Sequence, residues 1–187
     1  MTHVSFLPLT AMWFAMMTAM MVPTVWPWVA AFNRFGGNTT LFSGGYAAAW
    51  LLYSLTAASI QMLLPHELSR GLTASILFAA GAFQFAPLKR ACLMHCRNPL
   101  TYFLVHWRNG ASGSFGMGLH HGLFCVACCW ALMATTLAVG VMSLWWMAAL
   151  AAMTFAEQVT PWGERVRVGV GVALLIGAAW HLAPGTL

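Results

Sequence analysis

Acidic residues are almost missing from this chain, with three Asp and Glu among 187 residues. General acid–base catalysis and paired-carboxylate hydrolysis need side chains that are barely present, and no hydrolase triad or glycine-rich phosphate loop replaces them. Charge of either sign makes up 6% of residues, against about 25% in a soluble domain. A chain this poor in charge cannot cover a globular surface that faces water. A cleavable leader is not expected, because Met1 to Leu9 holds no basic stretch and the first apolar run continues far past a signal core. The formal charge of +5 falls mainly between apolar runs, where it orients a membrane protein, so no nucleic-acid partner is expected.

What the chain does contain is apolar, at 61% of residues, in runs long enough to cross a bilayer at about 20 residues each. Six spans are predicted, Phe6–Phe32, Ser43–Leu64, Leu72–Leu88, Gly116–Val139, Val141–Thr160 and Val166–Leu182. The expected fold is an all-α membrane helix bundle, a single domain over residues 1–187, with lipid as its solvent. Pro23 and Pro27 are expected to kink or end the first span, and Gly140 alone should join the fourth and fifth in a tight hairpin. The Lys89–Ser114 stretch is too apolar for a free linker. It reads as an interfacial segment with Arg97 and Arg108 reaching headgroups, or as a helix docked on the bundle.

Basic residues are unevenly shared. Arg34, Lys89, Arg90, Arg97, Arg108, Arg165 and Arg167 fall on the first, third and fifth loops, whereas Arg70 alone falls on the other side. The positive-inside rule then puts the odd loops in the cytoplasm and both termini outside. Glu157, the one acid inside a predicted span, is expected to pair with Lys89 or Arg90.

Five cysteines in two clusters do not make a secreted disulfide framework. The run MGLHHGLFCVACCW, Met117–Trp130, places Met117, His121, Cys125 and Cys128 on one helical stripe, with Cys129 one turn after Cys125. Thiols with a thioether and an imidazole suit Cu(I), with zinc as the competitor; core filler is the plainer reading of the same residues. Met16, Met17, Met20 and Met21 in the first span fall at a similar depth and are candidate auxiliary donors, or simply packing. Cys92, His95 and Cys96 at i, i+3 and i+4 could be presented by one helical turn as a cytoplasmic exit or docking point.

These residues resemble a family of bacterial predicted metal-binding integral membrane proteins, described as copper-chaperone-like, one member of which is associated with copper supply to a polyphenol oxidase. The resemblance runs through Trp13, the AMM segment with Pro23 and Pro27, Gly45, Tyr46 and Trp50. It continues through PLK at Pro87–Lys89, Cys92, Cys96–Arg97, Pro99, His106–Trp107 and the CxxCC cluster, and includes Glu157. It implies copper handling in the bacterial cytoplasmic membrane and a copper-donating or copper-accepting partner. Family members usually carry a further N-terminal span and a Met-rich outer stretch, so delivery of metal by a partner is expected here. Two other readings fit the residues: a structural subunit of a larger membrane complex, and a membrane thiol oxidoreductase using Cys125 with Cys128 or Cys129 and a quinone acceptor.

Overall fold

The structure is a computed structural model, which describes residues 5–65, 68–139 and 143–183. Among these residues, eight helices account for nearly the whole chain and no strand occurs. They are α1 (Phe6–Arg34), α2 (Thr39–Leu63), α3 (Arg70–Phe85), α4 (Pro87–Cys96), α5 (Pro99–His106), α6 (Gly110–Val139), α7 (Leu144–Val159) and α8 (Gly163–Leu182).

Local chemistry sets several boundaries. Asn38, Ser69 and Ser143 cap α2, α3 and α7, each side-chain oxygen accepting a backbone N–H three residues on. Pro87 and Pro99 stand at the first positions of α4 and α5, where a missing N–H costs nothing. Pro23 and Pro27, expected to interrupt the first span, do not end α1, which runs through both to Arg34. Thr24 donates to the Met21 carbonyl at 2.8 Å within this stretch.

Three helices, α1, α6 and α8, are long and apolar enough to cross a membrane. The α3–α4 pair, bent by 66°, would make a fourth as one broken span. α7 has 16 residues, short of the roughly 20 that a bilayer core needs. α2 is long enough at 25 residues but carries Thr39, Thr40, Ser43, Ser54, Ser59 and Gln61. The hairpin expected at Gly140 lies outside the described residues.

α6 is the central helix, packed against α2, α3, α4 and α7. Its tightest partner is α2, and glycine makes that closeness possible. A Cβ on Gly118 would overlap the backbone carbonyl of Phe42, and one on Gly45 would overlap the carbonyl of Phe115. Small residues of this kind let helix backbones approach closely. The contacts Phe42–Gly118 and Ala49–Gly122, then Tyr53–Trp130, advance together along both helices, so α2 and α6 run parallel. α3 and α8 form the other close pair. α1 packs on α2 and α7, and its backbone makes no close approach to α6, so large side chains fill the gap between them.

The Lys89–Ser114 stretch contains α4, α5 and the first turn of α6, which fits the docked-helix reading. Lys89, Cys92, Leu93 and Cys96 of α4 and Tyr102 and Phe103 of α5 are buried. Arg97, expected to reach headgroups, instead donates to the Thr160 carbonyl at 2.8 Å.

Gly118→Ala should destabilise the bundle by about 1–3 kcal/mol, the usual cost of overpacking. Gly44→Ala, whose added methyl meets nothing within 4 Å, should be near neutral. Thermal melting of the two variants in one detergent checks this; equal melting temperatures would refute the α2–α6 contact.

Candidate metal centre

Five thiols converge where α4 crosses α6. Cys125, Cys128 and Cys129 are buried on α6, and Cys92 and Cys96 are buried on α4. All five are free. The Cys96 thiol neighbours Cys128, Cys128 neighbours Cys129, and Cys129 neighbours Cys125. Periodicity along α6 predicts its own three thiols side by side. It does not predict the third link, from Cys96.

That link places the end of the CLMHC turn beside α6. Cys92 and Cys96 were expected as an exit point apart from the α6 cluster, presented together with His95. In the fold the break at Ala86–Pro87 turns α4 by 66° from α3 and brings Cys96 against Cys128. Cys96 therefore adjoins the α6 cluster, with Cys92 one turn earlier on α4. His95 turns elsewhere, its ring stacked on Phe124 at 4.1 Å and near Trp28 at 5.8 Å.

Polar side chains frame the thiols. The Gln158 amide donates to Cys129 Sγ at 3.0 Å and lies 3.9 Å from Cys125 Sγ. The Tyr46 hydroxyl lies 3.3 Å from Cys125 Sγ. Lys89 and Glu157, neither with any solvent exposure, pair at 2.7 Å, and Gln84 donates to the other Glu157 oxygen at 3.1 Å. The Lys89 ammonium is also within electrostatic range of Cys92, Cys96, Cys128 and Cys129. Arg90, the other candidate partner of Glu157, lies on the exposed side at 3.9 Å from Glu164.

The rest of the α6 stripe divides. His121 is buried against Trp28 at 3.6 Å and Tyr46 at 5.5 Å between ring centroids, and its Nδ1 has no hydrogen-bond partner. Tyr46 thus touches both the imidazole and the Cys125 thiol. Met117 packs in a separate aromatic group with Trp28, Phe32, Phe42, Tyr102 and Phe103. Met16, Met17, Met20 and Met21 are all buried, in the same apolar core as Cys125, Cys128 and Cys129, so none lies on the outer surface of α1.

Among the described residues no three His, Cys, Asp or Glu side chains are arranged to hold a metal ion as they stand. Donor chemistry nevertheless fits a soft cation. The thiols are linked in pairs, an imidazole nitrogen nearby is unsatisfied, and soft sulfur selects Cu(I). Tyr46, Gln158 and Lys89 escape a ligand search by residue type. The signal for Gln158 was its position beside Glu157 in an otherwise apolar run, since a buried amide requires a partner.

The sequence model of the PpoB2 family, described as a copper chaperone, matches residues 10–181. The chain belongs to the PpoB2 copper chaperone family. No curated protein and no solved structure matches it. The PpoB2 match spans every candidate donor from Met16 to Cys129, together with the Lys89–Glu157 pair.

Breaking that pair on one side leaves an uncompensated buried charge, which costs about 3–5 kcal/mol. Lys89→Met and Glu157→Leu should each lower stability by that order, and the double variant should recover most of the loss. A double-mutant cycle on thermal unfolding reads this directly. Additive losses would show that the two side chains do not interact.

Proposed function

We propose that this PpoB2 copper chaperone is an integral membrane protein that holds Cu(I) on the buried thiols of α4 and α6. It exchanges the ion with a copper-donating or copper-accepting partner, a copper enzyme such as a polyphenol oxidase being the fitting acceptor. The observation that carries this reading is the burial of Cys92 and Cys96 of α4 in the same core as Cys125, Cys128 and Cys129 of α6, which merges both cysteine clusters into one patch of soft donors. His121, Cys125, Cys128 and Cys129 are the core donors, with Cys92 and Cys96 joining from α4. Met16, Met17, Met20 and Met21 are auxiliary donors across the α1–α6 gap, and Met117 is the outermost. Zinc is the weaker candidate, because four-coordinate closed sites are its habit and no such group is assembled among the described residues.

The environment supports a low-coordinate site with net negative charge. Two thiolates on one Cu(I) carry an excess charge of about −1, and an ammonium in a water-free interior offsets it far better than one in solvent would. Lys89 is suitably positioned for that role. Movement of the ion then needs only successive exchange between soft donors, with no covalent chemistry.

A membrane setting is supported by the outward side chains. Leu7, Leu63, Phe78, Leu104, Trp145, Ile176 and Trp180 are all well exposed, which suits lipid. In this reading α1, α2, α3, α6, α7 and α8 supply six spans, and α4 and α5 dock at one end. Arg97 with Thr160 and Arg90 with Glu164 tie the third and fifth loops to the same end, consistent with one basic, cytoplasmic face and two extracytoplasmic termini. A C-terminal reporter active only in the cytoplasm should therefore stay silent, and a bright fusion would overturn the topology.

The site itself is tested by replacing Cys125, Cys128 and Cys129 with Ser in the reduced, detergent-purified chain. Hard oxygen in place of soft sulfur should weaken Cu(I) binding by well over about tenfold. Cys96→Ser alone should reduce affinity by less. Unchanged copper occupancy in a triple variant that still purifies as a folded bundle would refute the assignment.

A further inference from the structure

A second group of nitrogen donors sits apart from the thiols. His95 of α4, His106 at the end of α5 and His120 of α6 surround the ring of Tyr102. Ring centroids lie 5.1 Å from Tyr102 for His95, 5.1 Å for His106 and 5.5 Å for His120. The Tyr102 hydroxyl lies 3.1 Å from His120 Nδ1. His95 Nε2 is buried with no hydrogen-bond partner, while His106 and His120 are exposed. A cavity of about 190 Å³ opens beside them, lined by His95, Asn98, Thr101, Tyr102, Val105 and His106.

We propose that His95 and His120, oriented by Tyr102 and with His106 at the rim, form an imidazole site for a borderline divalent transition-metal ion. The class is that of Zn(II) and Cu(II), which imidazole suits and which the soft thiol patch does not specify. Spacing supports it. Two imidazoles bound to one ion at about 2.0–2.1 Å stand with ring centroids roughly 5–6 Å apart, and His95 and His120 are 5.6 Å apart at 69°. The two rings alone fall short of a closed site, which accords with the absence of a three-ligand group among the described residues. Water completes the shell.

Tyr102 orients the His120 ring. With Nδ1–H of His120 donating to the Tyr102 oxygen, the Nε2 lone pair is free for metal, the usual arrangement in which a ligand histidine gives its other N–H to an outer partner. Neither described carboxylate reaches the cluster, since Glu157 bonds Lys89 and Gln84 and Glu164 bonds Arg167. Arg108 is within electrostatic range of His120 and Tyr102. It opposes a cation and keeps affinity modest, as befits a site that releases its ion. His121, 6.4 Å from His95, connects this cluster to Tyr46 and the thiols.

The inference does not depend on Cu(I) at the thiols, and its test separates the two. The full chain, without a polyhistidine tag and with ¹⁵N-labelled histidine, is titrated with Zn(II) in detergent. The imidazole nitrogens of His95 and His120 should shift together and saturate, while those of His181, on the far helix α8, stay still. His95→Asn and His120→Asn, tested singly, should each weaken that transition at least about tenfold. Tyr102→Phe should weaken it less. His181→Asn should leave it unchanged. Zn(II) that moves neither His95 nor His120, or moves His181 equally, overturns the site. So does a transition untouched in either Asn variant that keeps the helical content of the parent.

Discussion

Lys89 and Glu157 form an ion pair with no exposure on either side chain, and the interior of the bundle is organised around it. Ions out of water are costly, and their mutual attraction offsets that cost only when geometry is good and the remaining donors and acceptors are satisfied. The geometry here spans three elements. Lys89 comes from α4, Glu157 from α7, and Gln84 from the last turn of α3 supplies a further donor to the carboxylate. Because the pair joins α4 to α7, it fixes where the short helix lies after the Ala86–Pro87 break. The position of α4 in turn decides whether Cys96 reaches Cys128.

A second constraint comes from the α2–α6 contact. Gly45, Gly118 and Gly122 let the α2 and α6 backbones approach until carbonyl groups meet Cα atoms. This parallel contact brings Tyr46 to Cys125 and to the ring of His121. α1 cannot come equally close, and Trp28 crosses the intervening space. It stacks on His121 and donates its indole N–H to the Cys96 carbonyl at 2.7 Å. One aromatic side chain therefore ties α1 to both cysteine-bearing helices. That is packing and hydrogen bonding together, the use for which a buried Trp is well suited.

Much of this was legible in the sequence, for identifiable reasons. Apolar run length and scarcity of charge indicate a helical bundle, and the three thiols of α6 follow from i, i+3 and i+4 spacing. Glu157 pairing with a basic residue of the 89–90 segment follows from the cost of a lone buried charge. Tertiary placement was not legible. A period places His95 beside Cys92 and Cys96 on one turn, but it cannot say that the turn lies against α6, with Cys96 beside Cys128 and its imidazole facing Tyr102. Of the two effects expected of Pro23 and Pro27, kinking or ending the span, they do not end α1, a helix whose side chains are held by α2 and α7. Chain direction likewise allows α1 and α6 to share a depth, yet the glycine contact gives the nearest position to α2.

Enclosure has chemical consequences in the proposed role. A Cu(I) carrier must keep its ion from water and from hard ligands, which buried sulfur does, but a fully closed site could not hand the ion on. The thiol arrangement reconciles the two needs, because the donors lie in linked pairs on two helices with no finished cage. An ion shared between Cys96 and Cys128 can lose one donor while the other still holds it, and Cys129 is already beside Cys128 to take its place. Charge need not move with water, since the Lys89 ammonium stands near four of the five thiols and can balance whichever pair is deprotonated. The same reasoning explains why the pair with Glu157 is useful. Lys89 unpaired would be a permanent buried cation whenever the site was empty, whereas beside Glu157 it is neutralised without copper.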